Sequence, residues 1–256
     1  MPEAIDHLAA LTTLPGVADA AAGARAAVDR LGGQRVLRTD AAAVRLEIAW
    51  RAVVATAALA DLEVSLDDVR AGSLPEDSAG EFVRAAMRVS AELDMLGASW
   101  ATAPRQVLAR LHALAAVESQ APGDLGRPAS PSAASRLDLL TDALTRPTSA
   151  PAVVVAGVVH AELIDAAAFD TAGPLVARAA ARLVLIGRGV DPRALVAVEI
   201  GHAALGLTEY QKALAGYSLG TPDGVAEWLV HCAEAIRAAA AVTTEICDSI
   251  RAGQPS

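Results

Sequence analysis

Apolar positions recur along most of the chain at the spacing of α-helices, with polar residues between them. From Ala41 to Val64 the series runs Val44, Ile48, Val53 or Val54, Leu59 and Leu62. From Pro104 to Val117, Val107, Leu108, Leu111 and Leu114 mark one face, with Arg105 and Arg110 off it. Pro104, Pro192 and Pro222 suit the first turn of a helix, where a missing N–H costs nothing. Thr221 before Pro222 predicts the cap of a last long helix through Trp228, Ile236 and Ile246. No alternating pair of apolar runs flanks an Asn-Gly or Asp-Gly turn, so hairpins are not expected. Ser119–Ser135 breaks the pattern with Pro122, Gly123, Gly126, Pro128 and Pro131 and predicts a long surface loop. No fixed-period repeat is present. The pattern predicts an all-α chain of roughly nine helices.

Composition agrees with this reading. Of 256 residues 54% are hydrophobic, 3% are aromatic and about a quarter are alanine, a strong helix former. Such a chain is not a disordered one. A net charge of -9, with Lys212 the only lysine, argues against a nucleic-acid binder and against an electrostatic membrane anchor. Cys232 and Cys247 lie about 22 Å apart along one helix, too far for a disulfide within it. The first residues, MPEAIDHLAALTTLPG, lack the cations and apolar core of a signal peptide. The longest apolar run, Ala152 to Val159, is too short to span a bilayer. A cytoplasmic location is expected. Residues 1–252 read as one helical domain, with N-terminal helices over 1–99, a core over 100–252 and a tail at 253–256.

Familiar chemical motifs are missing: there is no HExxH, CxxC, P-loop, GxGxxG or GxSxG. His7, His112, His160, His202 and His231 are scattered, none at metal-ligand spacing from another, so no metal site is expected. His231-Cys232 with Glu234 superficially suggests a ligand set. Adjacent helical residues point about 100° apart, which favours a partly buried helix instead.

The segment Val153–Asp191, VVVAGVVHAELIDAAAFDTAGPLVARAAARLVLIGRGVD, resembles the central helix pair of the Fic (Fido) family. Members read like H-A-E/Q-F/L-x-x-I-H-P-F-x-D/E-G-N-G-R-x-x-R. His160, Glu162, Phe169 and Arg178 match that pattern. Trp100–Leu114, the GRP of the long loop, LVLIGRGVDPRAL, Tyr210 and Trp228 extend the likeness to about Trp100–Ala240, in the manner of an actinobacterial subgroup. The resemblance implies a Fic-type helical bundle, with the long loop in the place of the substrate-docking flap. It also implies an ancestral protein-AMPylation chemistry.

The groups that perform that chemistry are replaced. The general-base histidine falls at Ala167 and the following proline at Ala168. The Mg²⁺ carboxylate falls at Thr171, and G-N-G-R becomes Ala172, Gly173, Pro174 and Leu175. Alanine accepts no proton, and a lost general base costs ~10² to 10⁴ in rate. Threonine is a poor Mg²⁺ ligand, Pro174 removes an anion-binding N–H, and Leu175 replaces a guanidinium clamp. The stretch ATAALADLEVSLDDVR resembles the family's inhibitory helix, with Thr56 in its Ser/Thr place, Ala60 in its glutamate place and Asp61 in its glycine place.

Several residues keep two readings. Arg178 and Arg182, at i and i+4 with Arg188 beyond, form either a residual anion site with Gly173 or a set of solvated or internally paired arginines on the outer face. Asp165 and Asp170 flank the vacant base position as candidate catalytic carboxylates or metal ligands, or as helix caps. His160 lies ~10 Å from Ala167 along a helix, which suits a structural role. Tyr210 and Trp228 read as core or groove-lining residues.

The expected function is a Fic-type scaffold without AMP transfer, acting as an interaction or regulatory module with a protein partner and no cofactor. An alternative is a divergent nucleotidyl or other transferase, using ATP and Mg²⁺ in a remodelled cleft. A third is an unrelated helical protein, which would lack an antiparallel helix pair around the 165–175 loop.

Overall fold

The computed structural model describes residues 6–253; residues 1–5, with Glu3, and 254–256 of the expected tail lie outside them. The chain runs through α1 (His7–Ala10), α2 (Val17–Gly32), α3 (Ala41–Ala58), α4 (Leu66–Ala71), α5 (Ser78–Trp100) and α6 (Pro104–Ala116). It continues through α7 (Pro131–Thr145), α8 (Ala152–Asp165), α9 (Gly173–Gly187), α10 (Val198–Leu205), α11 (Leu207–Ser218) and α12 (Pro222–Arg251). No strand occurs among the described residues. Among the described residues twelve α-helices stand against the roughly nine expected, because α1, α4 and α10 have only 4, 6 and 8 residues. Elements of one or two turns are too short for an apolar period to register.

Local chemistry sets the boundaries. Thr221 Oγ1 accepts the Gly224 N–H at 3.2 Å and Pro222 opens α12, as the sequence predicts. Pro104 likewise opens α6. Pro192 does not open a helix. The buried Asp191 carboxylate instead takes the N–H groups of Leu195 and Val196 at 2.9 and 2.7 Å, which holds 191–197 as a loop ahead of α10. The long loop is shorter than expected, because Ser130 caps α7 and Pro131 is its first residue.

Helix α3 ends at Ala58, short of Val64. Leu62 N–H bonds to Ala57 O at 3.0 Å and Asp61 N–H to Ala58 O at 3.1 Å, with Asp61 left-handed at φ 59°. That is a Schellman stop, made here without glycine. The stretch likened to an inhibitory helix is therefore the end of α3, a turn and α4.

The centre is the hairpin of α8 and α9. Helix α8 is apolar all round, AVVVAGVVHA, and buried from Ala152 to Ala161. Helix α9 packs along it, and α12 crosses over α8 at Gly157. There the Trp228 indole donates to Gly157 O at 2.8 Å, and a Cβ on Gly157 would stand 2.9 Å from Leu229. Helices α2, α10 and α11 flank α12, and α3, α5 and α6 cover the outer side of the α9 end. Cys232 and Cys247 are buried and free on α12. No helix among the described residues is long and apolar enough to cross a membrane.

Candidate functional site

The hairpin loop 166–172 is built by its two helix ends. Ala168 N–H bonds to Leu163 O at 3.1 Å and Ala167 N–H to Ile164 O at 2.9 Å, with Ala167 left-handed at φ 42°. Ala167 thus occupies the position that ends a Schellman motif, usually filled by glycine. Its methyl is exposed, and Ala168 beneath it is buried. On the other side Ala172 is left-handed at φ 55° and precedes Gly173 and Pro174 at the start of α9.

The 117–130 loop lies on this hairpin loop. Ala129 N–H donates to Ala168 O at 3.1 Å. Phe169 stacks on His112 with centroids 4.3 Å apart, and Gly126 N–H donates to His112 Nδ1 at 3.0 Å. Nδ1 being the acceptor, the neutral ring carries its proton on Nε2. Burial lowers the His112 pKa, partly offset by the Asp170 charge. Sequence reasoning left His112 as one scattered histidine; Phe169 in the motif was the signal that a ring would need a stacking partner.

Beside the first turns of α9 opens a cavity of about 430 Å³. Its floor is the buried set Leu59, Ala85, Ala115, Leu175 and Arg178, with Phe82 half-buried. Its rim carries exposed Ala60, Ser78, Ser119 and Pro174, with Glu81 at the edge. Ala60, in the glutamate place of the inhibitory-helix resemblance, thus shares a cavity with Arg178.

Arg178 and Arg182 are 2% and 5% exposed, which corrects the solvated-face reading. The internally paired reading holds for Arg182, which donates to buried Glu199 at 2.9 Å. Arg178 has no carboxylate partner among the described residues; it reaches the Tyr210 hydroxyl, and its Nε is without a partner. Between Thr56, Arg178, Arg182 and Glu199 lies a void of about 10 Å³, room for a single water.

Behind Arg178 the scattered histidines come together. His160 Nε2 meets Tyr210 OH at 3.0 Å, and His202 Nδ1 meets His231 Nε2 at 3.1 Å. His160 sits edge-on to His202 and Trp228, and His202 and His231 stack on Trp228. Burial lowers all three histidine pKa values, and Arg178 adds to the effect on His160 and His202. Sequence spacing concealed this cluster, because its members come from α8, α10 and α12. Even so, no group of three or more His, Cys, Asp or Glu suited to a metal occurs among the described residues.

The candidate carboxylates are elsewhere. Asp165 accepts from Arg136 at 2.9 Å, and a hydrogen bond from Ser218, then Arg136, lowers its pKa. A carboxylate so held is a weak base. Glu162 accepts from the same Arg136 and from Tyr217 OH at 2.7 Å. Asp170 is exposed near His112. Asp165, Asp170 and Arg178 share no hydrogen bond or ion pair among the described residues. Gly173 opens α9 but has Pro174 as its neighbour in the anion-binding turn.

A nucleoside triphosphate with Mg²⁺, which the resemblance implies, does not fit these residues. One arginine, Arg178, lines the cavity, with Glu81 at its rim and hydrocarbon walls. The α9 N-terminus lacks the Pro174 N–H, and the hydroxyl of Thr171, buried and unpartnered, carries no charge for a divalent cation.

Solved structures place this architecture. A Fic family protein from Desulfovibrio desulfuricans G20 matches with TM-score 0.73 and 18% identity, over 92% of this chain and 75% of its own. Fic-1 from C. elegans matches with TM-score 0.69 and 14% identity, over 93% of this chain and 74% of its own. The chain has the all-α Fic fold. The hairpin around 166–172 supplies the antiparallel helix pair that an unrelated helical protein was expected to lack. No protein-family model matches the sequence, and no curated protein matches it.

Proposed function

We propose that this chain keeps the Fic fold without nucleotide transfer and serves as a regulatory or interaction module for a protein partner. The observation that carries this reading is the hairpin loop itself. At the base position stands the methyl of Ala167, in a backbone stop that gives it no polar partner to recruit. The neighbouring loop is tied to Ala168 O, and His112, the imidazole stacked on Phe169, is buried with Nδ1 occupied.

Magnitudes support the same conclusion. A missing general base removes ~10² to 10⁴ in rate, and each missing preorganised donor ~10² to 10³. These losses overlap when the groups act as a unit, yet a large factor remains. The net charge of -9 favours a protein partner over nucleic acid or an anionic membrane.

The test is incubation with α-labelled ATP, Mg²⁺ or Mn²⁺ and a lysate, read by transferred label. No label above the protein-free background is expected. Label transferred by the purified chain, and reduced in Asp165→Asn or Asp170→Asn, would establish the divergent transferase instead.

A further inference from the structure

Arg178 and Arg182 are two buried guanidinium groups beside one buried carboxylate, Glu199, so the set keeps a net positive charge. Arg178 is 2% exposed, and its neighbour one turn on, Arg182, has already taken the buried Glu199 carboxylate. Around Arg178 stand the Tyr210 hydroxyl, His160 and His202, and across the small void Glu199, whose single carboxylate faces two buried guanidinium groups. A buried positive charge in excess of its counter-ions is costly, and a structure that keeps one beside a cavity is suited to an anion brought from outside.

The cavity says which anion. Its volume of about 430 Å³ falls in the range of small-molecule sites. Leu59, Phe82, Ala85, Ala115 and Leu175 give it a hydrocarbon body. A phosphate would need several donors, and the turn that would supply backbone N–H groups begins with Pro174. A carboxylate needs one fork of donors, which arginine supplies in a plane. Glu81 at the rim selects against a second negative charge.

We propose that this cavity binds a small monocarboxylate with an apolar body, its carboxylate on Arg178 and its hydrocarbon against Phe82 and Leu175. The inference rests on the reading that the site is not a nucleotide site, and it supplies the ligand through which a regulatory module would respond. Ala60 and Pro174 form the entrance, so that an occupant reports to the end of α3 and the start of α9 together.

The test is calorimetric and thermal-shift titration of the full chain with octanoate, 1-octanol and ATP with Mg²⁺. Octanoate is expected to raise Tm and to bind at least about tenfold more tightly than 1-octanol. Arg178→Met, which keeps the side-chain length, removes that preference. Ala60→Trp, at an exposed position, blocks the entrance with Arg178 intact, and octanoate binding drops at least about tenfold even if the first variant fails to fold. No octanoate binding, equal binding of the alcohol, or undiminished binding in Ala60→Trp overturns the inference. An acidic side chain of a protein partner as the true occupant would give the first of these results. Failure of octanoate alone leaves the proposed function standing, whereas tight binding of ATP contradicts that reading too.

Discussion

Ala172 holds a φ of 55°, which costs an L-residue with a Cβ about 1–2 kcal/mol relative to glycine. Part of that gain is offset by the freedom glycine has when unfolded. Ala172→Gly is therefore expected to stabilise the protein by about 0.5–1 kcal/mol, read as a higher urea midpoint at unchanged m. Removing a partner from the buried Arg182–Glu199 pair acts in the opposite sense. Glu199→Ala leaves two buried guanidinium groups without a carboxylate, and a loss of about 3–5 kcal/mol is expected in the same measurement. The residues at the positions of the resembled motif were legible in the sequence, because Ala167 and Leu175 are chemically unambiguous. The burial of Arg178 was not. Its i, i+4 relation to Arg182 puts both on one face, but α9 is packed on several sides, and spacing does not say which side a face meets.

At the scale of elements, α10 and α12 touch through backbone. A Cβ on Gly201 would stand 1.7 Å from Ala235 O, so no rotamer change relieves it. Gly201→Ala is expected to cost at least about 3 kcal/mol or to prevent folding, whereas Gly206→Ala, which meets nothing within 4 Å, suffers only from its φ of 102°. Comparing urea midpoints of the two variants checks this. Long helices were legible from apolar period and from caps such as Thr221. Their ends at Ala58 and Asp165 were less so, because both stop in Schellman turns whose left-handed residues are Asp61 and Ala167 rather than glycine. Pro192 misled because a proline fits both a first helical turn and a loop, and the neighbouring Asp191 carboxylate decides for the loop.

At the scale of the whole molecule, the His160, His202 and His231 cluster couples α8, α10 and α12, and its titration, with that of buried His112, makes stability depend on pH. Their pKa values are lowered in the fold, chiefly by burial, while unfolded imidazoles take up protons as pH falls through about 6.5. The unfolded state then binds more protons, so stability is fully present above that pH and falls below it. Arg178 deepens the effect, and Glu209 near His231 moderates it. A urea midpoint lower at about pH 5.5 than at about pH 7.5 is expected; an equal one contradicts a neutral buried cluster. The Fic fold was legible through the apolar and aromatic frame of the motif, Phe169 and the helices beside it. The cluster was hidden because residues 160, 202 and 231 meet only through tertiary packing.

The central claim is that this frame no longer grips a nucleotide. Calorimetric titration of the purified chain with ATP and Mg²⁺ tests it most directly. The account predicts no saturable heat, with any affinity weaker than about 100 µM. A saturable one-to-one isotherm tighter than that, lost in Arg178→Met, would contradict it.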